Sequence, residues 1–337
     1  MKRLSIGMFI VAAALLFADA VSAQQPVKLR FGSFVPLDAT GSTGTIKPFV
    51  DAVNKDGQGS VEIELFGNGA LGRNPAAQAQ MVVDGVADFA WVLLPQQRGR
   101  FRDTEVLELP ALFDTVTEAT TVSTRLLAKN VFQGFDEFYV VGIVGTGPTS
   151  IHSRGTITKL EDIKGKKIRA GGALESDSIT ALGGVPVALT VTEIIEAMSR
   201  GSIDAVTSLP SVVFDFGFAS VTNTHYFTRL GNLPMAMLMN KKKFDGLPKA
   251  AQDAIRKNSV EAVEKNFNST NGVYDETLIQ KLKDDPKRKV TFPSEAEMIR
   301  TRQMVQPVVD AWRKQSPRNE ELFMAVQQEL VQLRSRR

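Results

Sequence analysis

An α/β fold built from two Rossmann-like lobes is predicted by three features of the sequence. Two stretches, Val27 to Leu93 and Lys167 to Val206, each read as strand, helix, strand, helix, strand. Their strands run out into glycine or proline turns, as in parallel units whose ligands lie beyond the carboxyl ends of the strands. A proline-free run from Lys249 to Asp285 has apolar residues at helical spacing. At about 1.5 Å per residue it is long enough to run along both lobes.

The elements follow in order. Met1 to Ala23 has a basic start (Lys2, Arg3), an apolar run from Leu4 to Phe17 and small residues at Val21-Ser22-Ala23. This pattern predicts a Sec-type signal peptide, residues 1–23, cleaved before Gln24. The apolar run is too short for a comfortable membrane span. The chain has no cysteine, hence neither a lipid attachment site nor a disulfide framework. The expected product is soluble, exported and periplasmic.

Val27 to Phe34 alternates as a strand. Ser42 or Thr43 can cap a helix reaching about Asn54, Val61 to Phe66 is the next strand, and Asn74 to Val86 a helix. Ala87 to Leu93 closes the first unit. Thr117 to Leu127 is helical, Phe138 to Val144 is a strand, and Thr146 to Thr149 reads as a crossover. The second unit holds strands Lys167–Ala170, Val185–Leu189 and Ile203–Val206, with a helix opened by Thr192-Glu193 and closed by Gly201. Pro234 to Asn240 is an apolar strand. In the run after Lys249, Asn271-Gly272 is where a helix would bend or break, and Ser294 to Leu333 is helical with an interruption at Pro307.

Length and composition bound the function. The chain has 337 residues, of which 43% are hydrophobic, enough for two domains with real cores. Forty basic and 37 acidic residues give a net charge of +3 with no block of like sign, so a nucleic-acid footprint is not expected. Gly67 to Gly72 spells GxGxxG after a strand, with Asp88 about twenty residues on, a dinucleotide pattern. It follows the second strand rather than the first, Pro75 stands at the start of the helix, and an exported protein has little access to NAD, so a tight turn and no cofactor are expected. His152 and His225 are the only histidines; with no cysteine they predict no metal site. There is no GxSxG elbow and no evident acid partner for either histidine, so no catalytic residue is assigned. An exported enzyme, a dinucleotide-dependent oxidoreductase or a hydrolase, is the alternative to a binding protein.

Arg169 ends its strand beside Gly171 and Gly172. A fixed guanidinium beside backbone that lacks side chains can hold a carboxylate by two parallel hydrogen bonds. Trp91 lies in a strand where its ring edge can reach a pocket. Phe34 and Ser33 lie at the end of the first strand. Phe214, Phe216 and Phe218 alternate in FDFGF, and Phe214 is the candidate from that group to cover a ligand.

The signal peptide, Gly69-Ala70-Leu71-Gly72, DIKGKKIR (Asp162 to Arg169), GGVPV, TEIIEAMSRGSIDA and NKKKFDGLP (Asn240 to Pro248) occur in this order along nearly the whole mature chain. As a set they resemble the substrate-binding proteins of TRAP (tripartite ATP-independent periplasmic) transporters, the DctP family. The resemblance implies a periplasmic-binding-protein architecture: two lobes with a hinge, a cleft between them and a long helix spanning both. The implied boundaries are 24–147 plus 234–273 for lobe I and 148–233 plus 274–337 for lobe II, with the helix at about 249–285. It implies a small organic acid as ligand, a membrane permease of small and large subunits as partner, and a monomer. It makes Arg169 the carboxylate anchor. Where many sialic-acid-type members have a second arginine and an asparagine, this chain has Thr149 and Ser208, which favours a small monocarboxylate, or a carboxylate with an apolar or hydroxylated body, over multiply anionic or sialic-acid-like ligands. AWVLLPQQRGRF (Ala90 to Phe101) is similar to a subgroup associated with such acids and adds Gln96 to Trp91 as a wall candidate.

Overall fold

Alternating and fully apolar strands build the first of two sheets. The computed structural model describes residues 25–97 and 99–335. β1 (Val27–Gly32) leads through a π-helical turn at Ser42–Ile46 into α1 (Lys47–Asp56). β2 (Val61–Phe66) buries Val61 and Ile63 and exposes Glu62 and Glu64, as an edge strand with one wet face should. After α2 (Gln78–Val83) comes β3 (Phe89–Leu93), apolar and buried at every position, hence central. α3 (Val116–Ala128) and β4 (Phe138–Val144) follow.

The chain then crosses over and lays down β5 (Ser150–Ser153), β6 (Lys167–Ala170), α4 (Ala173–Ala181), β7 (Val185–Ala188), α5 (Ile194–Ser199), β8 (Ala205–Ser208), α6 (Pro210–Asp215) and β9 (Thr224–Tyr226). It returns as β10 (Met235–Asn240), which inserts antiparallel between β3 and β4. α7 (Lys241–Asp245), α8 (Lys249–Lys257) and α9 (Glu261–Asp284) lead to β11 (Lys289–Thr291), then α10 (Glu295–Lys314) and α11 (Pro317–Arg334). The sheet orders are β2-β1-β3-β10-β4 and β11-β9-β5-β8-β6-β7. Among the described residues no helix is long and apolar enough to cross a membrane.

Two of the connections between the sheets, β4 to β5 and β9 to β10, lie side by side. The Thr149 N–H donates to Gly231 O at 2.7 Å, the Leu230 N–H to Thr149 O at 2.9 Å, and the Leu233 N–H to Thr146 Oγ1 at 2.9 Å. Paired backbone that can flex without exposing a core is a hinge. α9 packs on α3 and β4 from the first sheet and on α6 and β11 from the second, so it spans both lobes.

Several expectations need correction. The run after Lys249 forms two helices, one or two being expected, but the break falls at Val260, held at φ 45° with its N–H on Val141 O, and not at Asn271-Gly272. The Asn271 side chain instead donates to Phe267 O at 3.3 Å within an unbroken α9. Pro307 sits on the exposed side of a continuous α10; the break comes at Ser316, whose hydroxyl accepts from the Asn319 N–H to cap α11. Residues 274–337 do not all belong to the second lobe. α11 docks on the first, where Leu322, Val326 and Leu330 join the cluster of Val122 and Leu126, and Glu329 accepts from Lys129 and Arg125. α10 touches both lobes: Tyr226 donates to Glu297 at 2.7 Å, and the Trp312 indole to Glu105 at 3.1 Å. The third strand of the second unit, β8, lies two residues later than expected, and Ser42 caps nothing, its hydroxyl being buried without a partner. The expected signal segment, 1–23, lies outside the described residues.

Candidate functional site

β6 lies between β7 and β8, with Arg169 opposite Val187 on one side and Val206 on the other. The strand therefore delivers Arg169 to the carboxyl edge of the second sheet, facing the first lobe. Its backbone carbonyl accepts from the Thr207 hydroxyl at 2.8 Å, which pins the strand end. The side chain is 2% exposed. Its Nε donates to Leu189 O at 2.9 Å and Nη1 to Thr207 O at 3.4 Å. Burial pulls its pKa below the usual guanidinium value, while the charges of Glu175 and Glu193 act the other way.

Gly171 makes this arrangement possible. A Cβ there would stand 3.2 Å from Arg169 Nη1, 3.4 Å from Nη2 and 3.3 Å from Glu175 Oε2. Glu175 is already engaged, accepting from the Gly171 N–H at 2.6 Å and the Thr149 hydroxyl at 2.9 Å. Among the described residues no carboxylate forms an ion pair with Arg169. Its buried positive charge is thus held by two carbonyls and is free to take an anion.

The guanidinium lines a cavity between the lobes. From the first lobe come Phe34, Trp91 and Met235; from the second, Val191, Leu209 and Phe216; from α9, Phe267, Asn271 and Asp275. The walls are mostly apolar with few polar groups, the usual make-up of a small-molecule site. Trp91 is 1% exposed and its indole N–H has no acceptor among the described residues. The lobes also touch each other: the Thr40 N–H donates to Asp215 Oδ2 at 2.9 Å, and the Phe34 and Phe216 rings lie 6.4 Å apart. The cleft is closed.

Of the expected residues, Arg169, Trp91, Phe34 and Ser208 meet at the cavity. The other four lie elsewhere. Ser33 turns its hydroxyl back on the Val35 N–H at 3.1 Å. Gln96 sits in the 3-10 turn after β3 with its amide oxygen buried away from the cavity. Thr149 is tied into the hinge and to Glu175. Phe214 lies under the ammonium of Lys281, 4.8 Å from its ring centroid, and Phe216, two residues on, takes the cavity position. The alternation of FDFGF does not place its rings on one side, because α6 ends at Asp215 and Gly217 turns the chain at φ 76°.

Asp215, Phe267, Asn271 and Asp275 were missed. A signal existed for the last two. Val263, Phe267, Leu278 and Leu282 form the buried stripe of α9, and Asn271 and Asp275 fall on that stripe at helical spacing. Polar residues where the period demands apolar ones mark a site. Asp215 accepts from Tyr274 at 3.1 Å as well as from Thr40. Asp275 accepts from the Ser211 N–H at 2.8 Å, and burial pushes its carboxyl up to about 6.

Two motifs resolve structurally. In Gly67–Gly72 the amides are spent on the turn itself: Ala70 N–H on Gly67 O and Gly72 N–H on Gly69 O, both at 3.0 Å. Such a turn has no free N–H cradle for phosphates. The two histidines, distant in sequence, pair across β5 and β9 with Nδ1 atoms 2.8 Å apart. The Nε2–H of His152 donates to Ser208 O at 3.3 Å, so its Nδ1 accepts from the Nδ1–H of His225. Burial lowers their pKa values to about 4 and about 2, keeping both neutral.

Comparison with known proteins agrees with this geometry. The C4-dicarboxylate-binding periplasmic protein DctP of Rhodobacter capsulatus is 24% identical over 292 residues, covering 84% of this chain and 86% of that protein. A TRAP solute-binding protein from a marine metagenome, specific for aromatic acids and crystallised with 3-hydroxybenzoate, superposes with a TM-score of 0.84 at 21% identity, over 91% of this chain and 99% of that one. A TRAP periplasmic solute-binding protein of Bordetella bronchiseptica with bound mandelate superposes with a TM-score of 0.81 at 22% identity, over 91% and 100%. The model of bacterial extracellular solute-binding protein family 7, DctP, matches residues 31–315. With two sheets around one cleft and this match over most of its length, the chain belongs to the DctP family of TRAP transporter substrate-binding proteins.

Proposed function

We propose that the protein captures a small monocarboxylate in the periplasm, holds it by Arg169 between closing lobes, and delivers it to the small and large membrane subunits of a TRAP permease. The observation that carries this is the buried guanidinium of Arg169, fixed by Leu189 and Thr207 and without an internal carboxylate partner, at the wall of an apolar cavity. Holding Nε and one Nη1 hydrogen on carbonyls leaves the remaining N–H groups to a ligand oxygen pair. Because the fork is already oriented, little side-chain freedom is lost on binding. Closure removes water from the pair, and the attraction strengthens as the local dielectric falls.

The apolar rings of Phe34, Trp91, Phe216 and Phe267 suit a ligand with an aromatic or branched apolar body. Ligands of the similar proteins, 3-hydroxybenzoate and mandelate, have that form. The closed lobes present one shape and the open lobes another, which is what a permease needs to tell loaded receptor from empty. The groups at the site position and neutralise an anion; no nucleophile–base pair is part of the proposal.

Calorimetry on the mature protein tests it. Charge-assisted hydrogen bonds are each worth about 1.5–3 kcal/mol. Arg169→Ala is therefore expected to weaken binding of the cognate acid by tens-fold or more while circular dichroism stays unchanged. Arg169→Lys keeps the charge but loses the fork, and is expected to recover only part of the loss. Unchanged affinity in Arg169→Ala would overturn the proposal.

A further inference from the structure

Among the described residues three charged side chains line the cavity, Arg169, Asp215 and Asp275, and they form two poles of opposite sign. Among the described residues no hydrogen bond or ion pair joins Arg169 to Asp215 or Asp275: Arg169 donates to Leu189 O and Thr207 O, while Asp275 accepts from the Ser211 N–H, so the two poles are distinct. Between them the walls are rings and aliphatic groups. Phe267, Asn271 and Asp275 fall at intervals of four residues on one face of α9, an aromatic ring followed by an amide and an acid one and two turns on.

The acidic pole is not complete within the protein. Asp215 is occupied by the Thr40 N–H and the Tyr274 hydroxyl. Asp275 accepts from Ser211, but no lysine, arginine or histidine pairs with it among the described residues. A purely apolar ligand tail would close the cleft over this carboxylate and leave it without a countergroup, which is costly. A second group also awaits an occupant: the indole N–H of Trp91, 1% exposed, with no acceptor.

Resting on the reading of Arg169 as the carboxylate anchor, we propose that the cavity selects an acid with a hydrogen-bond donor, a hydroxyl or an ammonium, at the end of its apolar body opposite the carboxylate, and that Asp275 accepts from that donor. Asn271, one turn before it, offers its amide oxygen to the same group, its amide nitrogen being engaged by Phe267 O and Thr270 Oγ1. The carboxylate at one pole and the donor at the other fix the ligand's direction in the cleft, and a plain acid of the same body leaves one pole empty.

Calorimetry with matched acids on the ligand-free mature protein decides it. One set is benzoate, 3- and 4-hydroxybenzoate and 3- and 4-(aminomethyl)benzoate; the other is hexanoate, 6-hydroxyhexanoate and 6-aminohexanoate. In at least one set the donor-bearing acid is expected to bind tenfold or more tighter than its plain counterpart. Asp275→Ala is expected to bring that ratio close to one. Asp275→Asn separates the two donors: its amide oxygen still accepts from a hydroxyl, so a hydroxy acid keeps part of its advantage, whereas an ammonium loses it. Should a variant fail to fold, the wild-type ratios alone decide. Plain acids that bind as tightly as donor-bearing ones, or a ratio that survives in Asp275→Ala, would overturn the proposal and leave the Arg169 anchor standing. Failure of every acid in both sets to bind would overturn the anchor, and this inference with it.

Discussion

Replacing Gly172 with alanine puts a methyl group between the lobes. A Cβ at this position would stand 2.9 Å from the Pro95 Cβ and 3.0 Å from Glu108 Oε2, both on the first lobe. Carbon atoms in contact normally sit about 3.5–4.0 Å apart, so the lobes must separate by roughly half an ångström or more at this point. The contact lies beside the hinge, since Glu108 O also stands 2.9 Å from where a Gly231 Cβ would be. A small displacement there is magnified at the mouth of the cleft. Overpacking of this kind costs about 1–3 kcal/mol, which corresponds to a loss of affinity between about fivefold and 150-fold. Gly172 is also the N-cap of α4, with extended backbone (φ −152°) that alanine adopts without strain. Alanine is nonetheless a poorer cap than glycine. Gly172→Ser separates the two effects, because serine caps well and carries the same Cβ. Calorimetry is expected to show weakened binding in both variants, and small-angle scattering a smaller compaction on adding ligand. Wild-type affinity in Gly172→Ser would show that the cap, and not the closeness of the lobes, governs the effect.

Other consequences follow from single contacts. Trp91→Phe keeps an aromatic ring but removes the unpartnered N–H; a hydrogen bond to the ligand is worth about 0.5–1.5 kcal/mol, so calorimetry is expected to show a several-fold weaker complex. The buried histidine pair makes a pH prediction. Its folded pKa values lie below the ordinary imidazole value of 6.5, so its stabilisation is full above 6.5 and declines as pH falls toward about 4. Imidazole NMR is expected to find both rings neutral at pH 5.5, with the His152 proton on Nε2 and the His225 proton on Nδ1. Urea unfolding of a His152→Gln/His225→Gln double variant is expected to lack the pair's share of the acid decline, while the raised Asp275 pKa works in the opposite direction in both proteins. Leu330→Ala, in the helix docked on the first lobe, is expected to cost about 2–5 kcal/mol in the same assay.

The sheets were legible because their strands carry period-two or fully apolar patterns, as in Val61–Phe66 and Phe89–Leu93. β9 and β11 were not, being three residues each and defined by pairing, β11 with β9 and β9 with β5 as well. The true break in the long helical run was hidden because Val260 is a residue that disfavours positive φ; a tertiary bond to Val141 O holds it there. Asn271-Gly272 looked like a breaker, yet contacts from both lobes keep α9 intact across it. At the site, Arg169 could be singled out from its strand end and two glycines. Asp275 left a trace as a polar residue on the apolar stripe of α9, but that this stripe meets the cleft, and that Asp215 joins it there, depends on lobe packing. Thr149 shows the converse: expected at the ligand, it is spent on the hinge and on Glu175.

A crystal structure of the protein with the organic acid that co-purifies with it tests the central claim most directly. The ligand's carboxylate oxygens are expected at about 2.8 Å from the free N–H groups of Arg169, with the ligand body against Trp91 and Phe267. A ligand seated in the cleft with its carboxylate on another group, and Arg169 left facing only Leu189 and Thr207, would contradict it.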